Sequence, residues 1–209
     1  MQRRNGNIVC MTYEIFAALV AFAFASVITP GPNNLMLMAS GANFGFRKTV
    51  PHMLGIGIVL PSMEVLGVLV VMQVFDLWPP SYTVLKFLSV CYLLYLAWKI
   101  ANAAPPSQAA TQGKPLSFLQ SAGFQWLNPK AWSMALSAIT LYAASRDIQA
   151  ILLIAGIYVL VSVISTTSYT ALGQQMRRLI NNPTRLRRFN MGMAGLLVLS
   201  LVPVLFPTG

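Results

Sequence analysis

The sequence predicts an all-α integral membrane protein whose six transmembrane helices form two inverted three-helix repeats, with the first and fourth helices broken. Three observations carry that prediction. Of 209 residues, 56% are hydrophobic and only 9% charged, against roughly 25% charged in an ordinary soluble domain. Six apolar runs, each about as long as the roughly 20 residues that cross a bilayer core, fill the chain and leave no room for a separate soluble domain. Two of these runs, the first and the fourth, are interrupted by proline at corresponding places in the two halves.

The runs cover residues 13–42, 51–74, 83–101, 118–144, 149–172 and 189–206. Between them lie Gly45-Phe46-Arg47-Lys48, residues 76–81 with Pro79-Pro80, the Pro/Ser/Gln/Thr-rich stretch 102–115, Ser145-Arg146-Asp147 and the basic stretch 173–188. All of these read as loops by their turn chemistry. Backbone in lipid must satisfy its own hydrogen bonds, so a span is a helix or part of a closed barrel. Continuous apolar runs without ten-residue alternation exclude the barrel. The chain reads as one transporter domain over 1–209, with repeat halves at about 11–101 and 115–207. The first ten residues read as an upstream extension, with Met11 as the start.

The net charge is +10, from 14 Lys+Arg against 4 Asp+Glu. In a soluble protein that balance would suggest nucleic acid. Here the basic residues sit in short loops beside apolar runs, so their expected partners are the headgroups of the lipid bilayer, and no nucleic acid is expected. The loops after spans one, three and five hold nine of them: Arg47, Lys48, Lys99, Lys114, Arg177, Arg178, Arg185, Arg187 and Arg188. The other side holds four, Arg3, Arg4, Lys86 and Arg146. The richer side is expected to be cytoplasmic, which places both termini outside. Cys10 and Cys91 form no metal or redox spacing, and no cofactor or metal is expected.

The two interruptions are the most informative residues. Thr29-Pro30-Gly31-Pro32-Asn33-Asn34 breaks the first span and Asn128-Pro129-Lys130 breaks the fourth. A proline inside a helix removes a donor and clashes with the preceding turn, at roughly 3 kcal/mol or more, so each span is expected to be two half-helices. Asn128 is a suitable N-cap before Pro129 at the first helical position, and Gly31-Pro32 can play the same parts. Pro32 and Pro129 are 97 positions apart. With three spans per half, the second half is inverted relative to the first. Pro32 to Asn43 is 11 residues and Phe118 to Asn128 is 10, each roughly 15 Å of helix, so both breaks fall near the midplane. Matched broken spans point to a transporter's binding site. The N-terminal ends of the second half-helices, with free N–H groups and partial positive charge, suit a carboxylate. Substrate-binding candidates are therefore Pro30, Gly31, Pro32, Asn33, Asn34, Asn128, Pro129 and Lys130.

Glu64 stands in the middle of the second span, where a bare carboxylate is costly and marks function. It is the candidate coupling residue, for a proton or for the substrate's ammonium, with Lys130 as its candidate counter-charge. The hydroxyls of span five, Ser162, Ser165, Thr166, Thr167, Ser168 and Thr170, are expected chiefly to pack helices. Gly55, Gly57, Gly192 and Gly195 are expected to allow close helix approach. His52 reads as a boundary residue, and Trp78, Trp98 and Trp126 as parts of interface belts.

With those motifs placed, the chain resembles the LysE/RhtB family of amino-acid exporters. The resemblance is carried by Thr29-Pro30-Gly31-Pro32-Asn33-Asn34, Gly45-Phe46-Arg47, Gly55, Tyr92-Leu93-Leu94-Tyr95-Leu96-Ala97-Trp98-Lys99 and Asn128-Pro129-Lys130, in order and over nearly the whole chain. It implies export of amino acids or their derivatives across the bacterial inner membrane in exchange for protons. Members exporting lysine and arginine carry an acidic residue in the second span. The residues around Glu64 do not match that pattern well, so neutral substrates are favoured. An enzyme is not expected: the chain has one His, and Asp76 and Asp147 both lie in loops. The alternatives are an exporter of another small or inorganic solute and a membrane assembly protein without transport. A homodimer is compatible with so small a transporter, although no residue argues for it.

Overall fold

The computed structural model describes residues 13–67, 77–103, 114–143, 148–179 and 182–202, and among them every regular element is helical. The elements are α1 (Tyr13–Ile28), α2 (Pro32–Phe44), α3 (Phe46–Leu66), α4 (Pro80–Ala101), α5 (Phe118–Leu127), α6 (Pro129–Tyr142), α7 (Ile148–Leu179) and α8 (Pro183–Leu199). Among the described residues, three helices are long and apolar enough to cross a membrane by themselves: α3, Thr83–Ala101 within α4, and Ile148–Arg177 within α7. The pair α1 and α2, bent by 53° at its break, makes a fourth crossing when taken as one span. At 10 and 14 residues, α5 and α6 are each too short to cross alone. The readings placed on Arg3, Arg4, Cys10, Met11, Asp76, Arg146 and Asp147, and on residues 68–74 and 203–206 of two expected spans, lie outside the described residues.

Both expected breaks are present. Gly31 is extended and caps α2 with Pro32 at the first helical position, and Asn128 caps α6 with Pro129 in the same place. A capping box joins Ser117 and Gln120 at the start of α5, satisfying two otherwise unpaired N–H groups at once.

Three element boundaries differ from expectation, each for a packing reason. The connection between α2 and α3 is Gly45 alone, at φ +82°, a left-handed conformation that glycine adopts without strain. Phe46 N–H donates to the Gln174 side chain at 2.6 Å, so α3 starts five residues early, with Arg47 and Lys48 in its first turn. Gly173 does not end the fifth span. A Cβ there would collide with the Met38 carbonyl, as one on Gly41 would collide with the carbonyl of Thr170, so these two glycines let α2 and α7 cross in direct backbone contact. The helix therefore runs on to Leu179, and α8 starts at Pro183 on an Asn182 cap that accepts from Thr184 N–H at 2.8 Å. Gly55 likewise sits against Phe118 and Ser121 of α5, whereas Gly57, Gly192 and Gly195 meet open space and make no close approach among the described residues.

Two apolar clusters form the core. One joins α1, the second half of α3, α6 and the first half of α7 through Leu19, Met63, Trp132, Ile154 and Tyr158. The other joins α2, α4, α5 and α8 through Leu35, Leu93, Leu96, Phe124 and Leu197. The breaks fall between them. Helices of the two halves interlock: α2 packs on α7, α3 on α5, α6 and α7, α1 on α6 and α7, and α4 on α8.

Candidate functional site

At the first break, Pro30 and Pro32 bring no N–H group, so carbonyls in the last turn of α1 lack helical donors. Side chains from three other elements supply them. Asn34 Nδ2 donates to Val27 O at 2.8 Å and to Thr29 O at 3.2 Å. The Tyr169 hydroxyl of α7 donates to Ile28 O at 2.8 Å. Lys130 Nζ of α6 donates to Thr29 O at 2.7 Å, and the Ser165 hydroxyl of α7 lies 3.2 Å from Asn34 Oδ1. This is how irregular backbone survives at membrane depth, with the carbonyls of Val27, Ile28 and Thr29 met by side chains of the protein.

The second break satisfies itself more locally. Asn128 Oδ1 accepts from Lys130 N–H at 3.1 Å, and Asn128 O accepts from Ala131 N–H at 3.0 Å. The Trp132 indole donates to Trp126 O at 2.8 Å, and the Ser89 hydroxyl of α4 donates to Leu127 O.

The two breaks are joined. Asn33 Nδ2 donates to Gln125 Oε1 at 2.9 Å, and Asn128 Nδ2 reaches the same oxygen at 3.3 Å. Lys130 lies across Gly31 so closely that a Cβ there would stand 2.8 Å from its Cδ. Gly31, Asn33, Asn34, Asn128 and Lys130 all line one cavity, together with Ser162, Ser165 and Thr166 of α7. Its volume is about 20 Å³, on the scale of one water molecule. Pro30, Pro32 and Pro129 shape this junction through the backbone.

The ends of the two second half-helices are not equivalent. The first N–H groups of α6 are taken up by Asn128, whereas α2 has no side-chain cap, because its N-cap is Gly31. Three buried polar atoms at the junction have no partner: Asn33 Oδ1, Gln125 Nε2 and Ser162 Oγ. Such atoms are rare in proteins and call for a ligand, a water or a second conformation.

Glu64 is fully buried on α3, and neither carboxylate oxygen has a hydrogen-bond partner. The expected pairing with Lys130 is not made, because the Lys130 ammonium is held by Thr29 O. Ile56 and Leu60 line the junction cavity, and Glu64 lies one further turn along the same face of α3. His52, near the start of α3, is buried, at 1% exposed.

Sequence reasoning missed Gln125, Tyr169 and the role of the α7 hydroxyls. Gln125 carried a signal, being a polar residue inside an apolar run one turn before Asn128. Tyr169 carried none, since a tyrosine in a span reads equally well as an interface residue.

A helical membrane-spanning chain whose two broken helices share one polar, nearly closed junction has the build of a solute translocator. The chain belongs to the LysE type translocator family, whose model matches residues 24–206. It is similar to the cysteine/O-acetylserine efflux protein of Escherichia coli (strain K12), 27% identical over 201 residues that cover 94% of this chain and 100% of that protein. The same identity and coverage hold for the cysteine/O-acetylserine efflux protein of Shigella sonnei (strain Ss046). No solved structure matches the chain.

Proposed function

We propose that this protein exports neutral amino acids or their close derivatives across the bacterial inner membrane in exchange for protons, and that the junction of the two breaks seats the substrate. The observation that carries this reading is the Lys130 side chain of one half laid over Gly31 at the uncapped start of α2 in the other. An ammonium beside a helix N-terminus is a strong place for a carboxylate. Asn33 Oδ1 and Ser162 Oγ, both unpartnered, are acceptors for the substrate's ammonium, and Gln125 Nε2 is a further donor for its carboxylate. The relatives' named substrates, cysteine and O-acetylserine, are small zwitterions of the kind such a seat fits.

The helix pairing supports six crossings in two inverted halves. Exchanging α1 to α4 with α5 to α8 maps the α3–α5 contact onto α7–α1, and the α2–α7 contact onto α6–α3. The cavity is too small for an amino acid as it stands, so transport requires the halves to rock apart. Glu64, buried beside the path, is the group we assign to the coupling proton. The lysine- and arginine-rich side faces the cytoplasm, with both termini opposite.

The test is efflux. Cells overproducing the protein are loaded with dipeptides that release single amino acids, and the medium is followed beside Asn128→Ala and Lys130→Met variants. Faster appearance of one or a few neutral amino acids outside, abolished by both variants at equal membrane abundance, bears the proposal out. Equal efflux with and without the protein across the panel sinks it.

A further inference from the structure

A second cavity, of about 200 Å³, lies at the end of α2 away from the breaks. Its volume is about ten times that of the junction cavity. Ser40 and Asn43 of α2, His52 of α3, Lys99 of α4, Asn102 after it and Lys114 before α5 supply its polar lining, and no carboxylate among the described residues lines it. His52 is buried, yet neither ring nitrogen has a partner. A buried imidazole without a hydrogen bond costs free energy that a ligand accepting from its N–H would recover. Asn43 is held in place by a reciprocal amide pair with Asn190 of α8, at 2.8 and 3.0 Å.

The cavity and the junction are consecutive along one helix face. Asn33, Met36, Ser40 and Asn43 recur at intervals of three and four on α2, so they form one stripe. Asn33 lines the junction, while Met36, Ser40 and Asn43 line the second cavity. Met36 is buried between them. A flexible thioether is suited to yield to a passing solute.

We infer that this cavity is a waiting site for a carboxylate-bearing solute on the lysine-rich side of the membrane, with Lys99 and Lys114 as charged partners, His52 as the buried donor and Met36 as the closing residue toward the junction. The solute's identity rests on the exporter reading above, whereas its binding is measured apart from transport. A lipid phosphate carries the same anionic chemistry, so the experiment separates the two sources.

Full-length protein in nanodiscs of zwitterionic lipid is titrated with O-acetylserine, with its methyl ester, which lacks the carboxylate, and with inorganic phosphate. The readout is the fluorescence of Trp98, which lines the cavity, against a Trp98→Phe control. The expected result is a saturable Trp98-dependent change with O-acetylserine that the ester does not give. Half-saturation should rise about tenfold or more in Lys99→Gln/Lys114→Gln, from the loss of charge-assisted hydrogen bonds. It should also rise in His52→Phe. No Trp98 response to O-acetylserine, an equal response to the ester, or a double variant that titrates like the parent overturns the inference. A response to phosphate alone, or one abolished by anionic lipid in the nanodisc, makes the cavity a headgroup seat and overturns it too. Binding here without efflux in cells would sink the exporter reading and leave the carboxylate site standing; efflux without the Trp98 response would do the reverse.

Discussion

Asn34 shows how much one side chain can hold at a broken helix. Its amide nitrogen spans the carbonyls of Val27 and Thr29, and its oxygen meets Ser165. Asn34→Ala leaves buried carbonyls short of a donor, which costs about 1–3 kcal/mol; the expected readout is a lower thermal unfolding midpoint in detergent, with export reduced. A midpoint equal to the parent's would mean that water or Ser165 replaces the amide. Glu64 calls for a different test, because its role is in coupling. Glu64→Gln keeps the shape and removes the titrating proton, so export driven by a proton gradient should be lost while solute-for-solute exchange in proteoliposomes persists. Loss of both together would make Glu64 a packing residue. The sequence singled out Asn34 and Glu64 because polar groups at membrane depth are costly. It could not say that Lys130 answers Thr29 and not Glu64, since that choice depends on how α6 lies against α1.

The crossing of α2 and α7 brings backbone against backbone at Gly41 and Gly173, and small residues make such contacts in lipid, where apolar burial offers no net drive. Gly173→Val forces the Met38 carbonyl away and Gly41→Val does the same to Thr170. Each should destabilise by about 1–3 kcal/mol, the usual range for overpacking, and lower the unfolding midpoint. Gly192→Ala meets open space, so it should leave the midpoint unchanged or raise it through helix propensity. Equal effects of the two kinds of variant would argue against the crossing. The half-helices were legible because proline and glycine act locally. The extents of α3, α7 and α8 were not, because Gly173 and Gly45-Phe46 read as turn chemistry in isolation and as packing devices only once α2 and α7 are side by side.

At the scale of the molecule, two apolar clusters clamp a polar layer in which the halves meet. The charge bias, nine basic residues on one expected side and four on the other, predicts one orientation. A reporter phosphatase that works only outside the cytoplasm, fused after Gly209, should be active, and the same reporter placed between α4 and α5 should be silent. The opposite pattern would invert the topology and place the Lys99/Lys114 cavity on the outer face.

Composition and the six apolar runs settled by themselves that the chain is a helical membrane protein, and the proline-broken motifs settled where its helices part, because both effects are local properties of the chain in a solvent without hydrogen bonds. Which residues answer one another was decided only by the tertiary structure. Asn33 finds Gln125 across 92 positions and Lys130 finds Thr29 across 101. Pairings at that range follow from how helices cross, and helix crossing is set by shape at points such as Gly41 and Gly173, which no reading of neighbours along the chain contains.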